Sequence, residues 1–162
     1  MKDAFQHIIE QYRASIFKIC LGYAATPTEA EDLLQEALIN IWKGLKSFRQ
    51  EAQLKTWIYR VTVNTCLLSL RKKRIQTTDL STVQESHFAK HASSEQKEAL
   101  EQLHQYIQVL PEKDRVIILL YLEELSHQEI AEVVGISANN VGVRISRVKK
   151  RLRGLLRQGF GG

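Results

Sequence analysis

Apolar residues recur at intervals of three or four along the first half of the chain, the spacing of one face of an α-helix. They predict three helices. The first covers residues 3–23, the second runs from a cap at Thr26 to residue 45, and the third covers about 56–74. Residues 47–55 are predicted to form a loop. Pro27 suits the first position of the second helix, and Glu29 completes its capping box. The side chains expected to face the core are Phe5, Ile8, Ile9, Tyr12, Ile16, Ile19, Cys20 and Tyr23, then Leu33, Leu34, Ala37, Leu38, Ile41, Trp42 and Leu45, then Trp57, Ile58, Val61, Thr65 and Leu68.

The second half of the chain has the same helical periodicity from residue 96 onward. A helix with an apolar stripe at Leu100, Leu103, Ile107 and Leu110 is followed by another that starts at Pro111. Its residues 116–122 are nearly all apolar, and they are expected to form the core of a second domain.

Residues 125–156 predict two further helices joined by a tight turn. Ser126 and Glu129 form a capping box that starts a helix at His127, and Gly135 supplies the left-handed conformation that ends it. Ile136 is expected to be buried in the turn, and Ser137 to cap the next helix. The buried stripe of that helix is Val141, Ile145, Val148 and Leu152.

Residues 75–95 differ from both flanks. They are rich in Thr, Ser, Gln and His and lack a sustained apolar period, which is typical of a flexible linker. We therefore predict an all-α fold of two small domains: an N-terminal helical bundle at 1–74, the linker at 75–95, and a C-terminal helix-turn-helix domain at 96–162 that contains the two helices and the tight turn described above.

Composition excludes several classes of protein. Hydrophobic residues make up 44% of the chain, so global disorder is not expected. No Gly-rich phosphate loop, nucleophile–base motif or metal cluster is found, which indicates a non-enzyme without cofactors; His87 and His91 have no third ligand nearby. Cys20 and Cys66 are expected to be buried free thiols, with a disulfide as the alternative. No apolar run is long enough to span a membrane and no leader is present, so we expect a cytoplasmic protein.

Charge is distributed unevenly along the chain. Residues 137–162 contain seven Lys or Arg and no acid, whereas residues 96–136 contain three basic and eight acidic side chains. A face of one sign suits contact with phosphates, and the spacing of Ala131, Gly135 and Val141 suits a helix-turn-helix. A plain helical hairpin with a solvated basic face is the alternative. The residues predicted to contact DNA are Ser137, Asn139, Asn140, Val143, Arg144, Arg147, Lys150 and Arg151.

The N-terminal domain carries two distinctive polar surfaces. Asp32, Gln35, Glu36 and Ile39 share the outer side of the second helix, where an aliphatic residue gains nothing from water. We interpret them as a face that docks on another protein, although acids near a helix start are also ordinary dipole partners. On the third helix, Arg60, Asn64 and Arg71 form a ridge that ends in the basic cluster Arg71, Lys72, Lys73 and Arg74, more cations than a helix end requires.

Together these residues resemble the bacterial sigma-70 family of RNA polymerase sigma factors. Asp32-Leu33-Leu34-Gln35-Glu36, Trp42, Phe48-Arg49, Thr56-Trp57-Ile58-Tyr59-Arg60-Val61, Asn64 and the Arg71 to Arg74 cluster are similar to conserved region 2. Leu110-Pro111, Leu125-Ser126, Glu129-Ile130-Ala131, Gly135-Ile136-Ser137, Arg144 and Arg147 are similar to region 4. A short chain with only these two regions resembles the extracytoplasmic-function (ECF) group.

The resemblance implies a subunit that binds core RNA polymerase and directs promoter-specific transcription initiation. Asp32, Gln35, Glu36 and Ile39 would dock on the clamp helices of the largest polymerase subunit, and the C-terminal domain would meet the flap of the second-largest. The −10 element would contact Phe48, Arg49, Arg60, Asn64, Arg71, Lys72, Lys73 and Arg74, and the −35 element the set on the last helix. The resemblance also implies an anti-sigma factor as partner, which would hold the protein at the membrane face of a bacterial cytoplasm.

One stretch departs from the family pattern. Where the family usually has Thr-Val-Lys-Ser-Arg, this chain has Asn140-Val141-Gly142-Val143-Arg144, so the preferred −35 sequence does not follow from the resemblance. The rival hypothesis is a stand-alone helix-turn-helix regulator. Such a regulator has no need for an Asp-Leu-Leu-Gln-Glu face beside an aromatic loop and a basic ridge, which favours the sigma factor.

Overall fold

A computed structural model of the protein describes residues 2–48, 53–76 and 94–160, and the regular structure within these ranges is entirely α-helical. The chain divides into two compact units, Met1–Glu85 and Ser86–Gly162. The predicted all-α class with two small helical domains is thus confirmed, while the predicted linker lies largely outside the described residues. The helices are α1 (Lys2–Leu21), α2 (Pro27–Leu45), α3 (Leu54–Gln76), α4 (Ser94–Val109), α5 (Glu112–Leu122), α6 (His127–Val134) and α7 (Ala138–Phe160).

The N-terminal unit is built from α1, α2 and α3, each of which packs against the other two. Its centre consists of fully buried aliphatic side chains from all three helices: Ile8, Ile16, Ile19, Leu34, Ile41 and Ile58. Burying each of them stabilises the fold by about 1.5–3 kcal/mol. The buried Thr65 hydroxyl is paired, since it donates to the Val61 carbonyl at 2.8 Å and accepts from the Asn40 amide at 3.0 Å.

Two thiols meet inside this unit. Cys20 on α1 and Cys66 on α3 are buried, free, and 3.9 Å apart between their sulfur atoms, which confirms the prediction of buried free thiols. The hydrogen bond to Cys20 and burial raise the pKa of the Cys66 thiol well above its ordinary value. The Cys66 thiol therefore stays neutral in the core.

The buried arc of α3 differs from the predicted one. The helix begins at Leu54, and its buried side includes Tyr59, Thr62 and Val63, whereas Leu68 is 55% exposed although it was expected to face inward. Because α3 contacts both α1 and α2, its buried arc is broad and is centred on a threonine that an apolar count overlooks. Threonine 62 is accommodated there because its hydroxyl donates to the Ile58 carbonyl at 2.8 Å.

Trp42 on α2 was also wrongly assigned to the core. It is 37% exposed, and its ring makes an edge contact with the Phe5 ring at a centroid distance of 5.0 Å. The large ring thus covers the border between α1 and α2 and leaves part of its surface to solvent.

The C-terminal unit packs α4, α5 and α6 against α7. Its fully buried centre includes Leu120 of α5, Ile130 of α6 and Val141 of α7. Residues 115–120 of α5 are buried all round, which confirms most of the predicted apolar core, although Leu122 is 50% exposed. Arg115 is buried among them because its guanidinium donates to the Gln108 carbonyl at the end of α4.

The connection between α6 and α7 follows the sequence prediction closely. The Glu129 N–H donates to the Ser126 hydroxyl at 3.1 Å, and the Ser126 N–H donates to the Glu129 carboxylate at 2.9 Å, which completes the capping box. Gly135 ends α6 at φ 78°, and Ser137 caps α7 by accepting from the Asn140 N–H at 3.1 Å. Ile136 is half-buried rather than fully buried, because the turn lies at the surface.

The conformation of Gly135 in the turn between α6 and α7 allows the effect of a substitution to be predicted. Gly135→Ala should destabilise the C-terminal unit by about 1–2 kcal/mol, because a Cβ meets no atom within 4 Å but the left-handed conformation strains any other residue. Gly154→Ala is the matched control in α7: its Cβ also meets open space, and a helical alanine should stabilise by up to about 1 kcal/mol. Urea unfolding followed by circular dichroism measures both, and equal effects of the two substitutions would contradict the argument.

Candidate protein-docking and DNA-binding surfaces

The outer side of α2 presents the predicted docking residues together. Thr26 fixes the start of the helix by accepting from the Glu29 N–H at 3.2 Å, and the Ala25 N–H donates to the Glu29 carboxylate at 2.8 Å. With α2 anchored in this way, Leu33 and Leu34 point into the core. The opposite side then exposes all of the predicted set: Asp32, Gln35, Glu36 and Ile39. Ile39 is 52% exposed one helical turn after Glu36, and an apolar side chain beside charged ones suits contact with a protein surface.

An apolar groove adjoins this face. It has a volume of about 560 Å³ and is lined by Lys2, Phe5, Gln6 and Ile9 of α1 and by Gln35, Leu38, Ile39 and Trp42 of α2. The predicted docking residues Gln35 and Ile39 therefore form one of its walls. The sequence prediction of a buried Trp42 left no place for this groove, whereas the 37% exposure of Trp42 shows that its ring stands at the surface.

Phe48, which follows α2, is held where α2 and α3 approach each other closely. The rings of Phe48 and Trp57 lie 5.0 Å apart with an interplanar angle of 38°. Trp57 in turn lies against the last turn of α2, where a Cβ on Gly44 would stand 2.7 Å from its ring atom Cζ2. A glycine at this position is thus what allows the tryptophan to pack there and to support Phe48, which is half-buried. Arg49 lies outside the described residues.

The residues predicted to form a ridge lie on one side of α3. Arg60 is half-buried, and Asn64 and Arg71 are exposed on the same side of the helix. In the basic cluster, Arg71, Lys72 and Arg74 are exposed. The cluster therefore offers charge on several sides of the end of α3, and the ridge leads into it.

Lys73 of the same cluster has an intramolecular partner. Its ammonium lies 2.8 Å from the Glu29 carboxylate at the start of α2. Burial alone would raise the pKa of the Glu29 carboxyl, but the hydrogen bond from Lys73, the Ala25 N–H and the charge of Lys73 together lower it below its ordinary value. Lys73 thus joins α3 to the start of α2, a role that a count of cations does not reveal.

The outer side of α7 exposes most of the predicted DNA-contacting set. Exposed on it are Asn139, Asn140, Val143, Arg147, Lys150 and Arg151. Ser137 is exposed too, but its hydroxyl is engaged in the cap of α7. The buried stripe Val141, Ile145, Val148 and Leu152 fixes which side of the helix faces outward.

Arg144 is placed differently from its neighbours. Its guanidinium lies 3.3 Å from the Asp114 carboxylate of α5, and the two side chains are 30% and 25% exposed. The pair connects α7 to α5. Contact of Arg144 with DNA would therefore have to compete with this ion pair, which distinguishes it from Arg147.

The structure adds residues that the sequence did not indicate. A concave surface of about 500 Å³ runs along α7 and is lined by His127, Ala138, Asn139, Gly142, Val143, Ser146 and Arg147. Ser146 could have been found from its spacing of seven residues after Asn139. His127 could not, because it belongs to α6 and approaches only through the fold.

Other chemistry is not indicated by the part of the chain that the structure describes. Within it no group of three or more His, Cys, Asp or Glu side chains could hold a metal ion, and His87 and His91 lie outside it. Among the described helices none combines the length and apolarity needed to cross a membrane.

Two family models each match one part of the chain. The family model for Sigma-70 region 2 matches residues 8–75, and that for Sigma-70, region 4 matches residues 100–152. The ECF RNA polymerase sigma factor SigW of Bacillus subtilis is 32% identical, over 96% of this chain and 90% of its own length. The RNA polymerase sigma-H factor of Pseudomonas aeruginosa is 30% identical, over 97% of this chain and 90% of its own.

Solved structures show the same fold. The sigma factor RpoE of Bartonella quintana, in complex with the anti-sigma factor NepR, superposes with a TM-score of 0.78 at 23% identity and covers 97% of this chain and 98% of that one. CnrH in complex with the cytosolic domain of CnrY gives a TM-score of 0.75 at 19% identity, covering 98% and 90%. The resemblance predicted from the motifs is confirmed by the family models and by the two sequence relatives.

The contact between α2 and α3 predicts a second effect. Gly44→Ala should destabilise the N-terminal unit by about 1–3 kcal/mol, because the new Cβ overlaps the Trp57 ring and the gain in helix propensity is at most about 1 kcal/mol. Unfolding in urea monitored by tryptophan fluorescence reports it, with Gly154→Ala again as the control. A stabilised Gly44→Ala variant would show that the ring can move without cost.

Proposed function

The chain belongs to the ECF group of the sigma-70 family, and from this premise we propose how its helices divide the work of a sigma factor. As a sigma factor it binds core RNA polymerase and directs promoter-specific transcription initiation. Relatives of this kind are not enzymes, and we propose that this chain likewise contributes binding and no catalysis of its own. The single observation that carries the residue-level proposal is the exposure of three separate polar surfaces over two buried cores.

The outer side of α2 is proposed to dock on the clamp helices of the largest polymerase subunit. Asp32 and Glu36 provide negative charge on the same side of α2, seven and three residues before Ile39, whose exposed half would be covered on binding. An apolar centre within a charged rim is the usual organisation of a specific interface. The adjoining groove at Trp42 extends the apolar area beyond a single side chain.

The aromatic loop and the α3 ridge are proposed to take the −10 element. Phe48, supported by Trp57, provides a ring on which an unstacked base can lie, and such stacking is worth about 1–3 kcal/mol per base. Arg60, Asn64 and Arg71 would contact the strand alongside it, with Arg49, Lys72 and Arg74 on the backbone. Lys73 would contribute less than its neighbours, because it pairs with Glu29.

The outer side of α7 is proposed to enter the major groove of the −35 element. Asn139, Asn140 and Val143 stand near the start of the helix, where recognition helices read base edges, and Val143 is 41% exposed and able to contact a thymine methyl. Arg147, Lys150 and Arg151 follow and suit phosphates. Arg144 is proposed to orient the helix through Asp114 rather than to read DNA directly.

We also propose an anti-sigma factor as a partner and the bacterial cytoplasm as the location. Both similar solved structures are complexes with such a partner or with a cytosolic domain. In each unit large apolar side chains are exposed, among them Leu68 and Ile75 in the first and Val109 and Leu122 in the second, and a partner could cover them. A stand-alone regulator is disfavoured, because such a protein has no need for region 2, which the family model matches.

Reconstitution tests the proposed docking face. With core polymerase the protein should direct initiation from a specific promoter, and Asp32→Arg with Glu36→Arg should abolish core binding by reversing two charges at the interface. The control is Asp3→Arg with Glu10→Arg on α1, an equal charge change at exposed positions outside the proposed face. Core affinity, measured by co-elution, should fall only for the α2 variant. Absence of promoter-specific initiation by the unaltered protein would contradict the function itself, and equal core affinity of the two variants would contradict the docking face.

The proposed −35 surface predicts a salt effect. Arg147→Ala should weaken holoenzyme binding to promoter DNA. Because one phosphate contact is lost, the slope of log affinity against log salt concentration should become shallower by about 1. Arg153→Ala removes an equal charge from α7 at an exposed position outside the predicted set, and it should change the slope less. Filter binding at several salt concentrations distinguishes them. A slope that Arg147→Ala leaves unaltered would remove this residue from the DNA contact.

A further inference from the structure

His127 stands at the edge of the surface proposed to face the −35 element. It is the first residue of α6 and is exposed. Its side chain lines the concave surface of about 500 Å³ that also includes Asn139, Val143 and Arg147 of α7. A residue of the neighbouring helix thus shares one surface with three residues of the predicted DNA-contacting set.

Gly142 is what allows the imidazole to lie there. A Cβ on Gly142 would stand 3.3 Å from Nδ1 and 3.4 Å from Cε1 of His127, so the ring rests directly on the bare backbone of α7. Even one added carbon would force the ring to shift by a few tenths of an ångström. A longer side chain at 142 would meet the ring head-on.

The position that Gly142 leaves without a side chain belongs to the outer part of α7. It lies three residues after Asn139, one before Val143 and four before Ser146, all of which line the same surface. The imidazole of His127 therefore occupies space that a recognition-helix side chain would otherwise fill. It brings a ring N–H, a hydrogen-bond donor, to a surface whose natural ligand is an acceptor-rich polyanion.

We propose that His127 is a positioning residue for promoter binding, which donates a hydrogen bond to one backbone phosphate of the −35 element from the place vacated by Gly142. A phosphate is favoured over a base because the first helix of a helix-turn-helix crosses the backbone while the second enters the groove. Such a contact sets the register of α7 on the duplex and carries no sequence information of its own. The inference rests on the proposed function, since it needs the same surface to face DNA.

A coupled set of variants in the reconstituted holoenzyme tests it. His127→Ala should weaken binding about three- to tenfold, the effect of one lost hydrogen bond, and should do so equally for every −35 sequence. His127→Gln retains an N–H donor and should recover part of the affinity. Gly142→Ala should also weaken binding, because it displaces the ring, yet it should add little once His127 is alanine. Independent, additive effects of the two substitutions would overturn the inference.

Chemical replacement on the DNA identifies the contact. Single methylphosphonates, which remove the charge of one phosphate, should reveal one position whose replacement weakens the unaltered protein but not His127→Ala. A change of base preference in His127→Ala, or the same methylphosphonate profile for both proteins, would overturn the phosphate assignment. Arg147→Ala separates the two levels of the argument. If it weakens binding and His127→Ala does not, only this inference fails; if neither does, the proposed −35 surface fails as well.

Discussion

Burial of one stripe of α7 is the interaction on which the surface proposed to face DNA depends. Val141, Ile145, Val148 and Leu152 are all buried, so the helix cannot rotate without exposing them. Their burial decides that Asn139, Val143 and Arg147 point outward, and it brings Gly142 against α6. Which residues form the outer side of α7 is therefore a consequence of hydrophobic packing on the opposite side of the same helix.

Ion pairs then divide the cations into two groups with different tasks. Lys73 pairs with Glu29 and Arg144 with Asp114, and each pair joins two helices of one unit. Since both pairs are partly exposed, their contribution to stability is modest, and their main effect is to fix side-chain direction. The remaining exposed cations of α3 and α7 keep their charge directed to solvent, where a polyanion can reach it. Net charge alone does not separate these groups.

Local signals in the sequence predicted the helix ends well, because caps and turns depend on neighbouring residues. Ser126, Glu129 and Gly135 have the predicted roles in the structure. Which side of each helix is buried was harder to predict. Leu68 and Trp42 are exposed although their apolar character favours burial, whereas Thr62 is buried because its hydroxyl donates to a backbone carbonyl. The approach of His127 to Gly142 joins two helices across a turn, and no periodicity in either helix encodes it. The exposed residues on α2 and α7 were predictable, since an amphipathic stripe defines its own opposite side.

The two buried thiols of the N-terminal unit can report how often that unit opens. Neither Cys20 nor Cys66 has any exposed surface, so an alkylating reagent can reach them only when α1 and α3 separate. The rate of thiol modification at low reagent then measures how often the bundle opens, without any added label. Binding of a protein to α2 should slow the rate of thiol modification to the extent that it holds the three helices together. The native cysteines would thus report partner binding as a slower rate of alkylation.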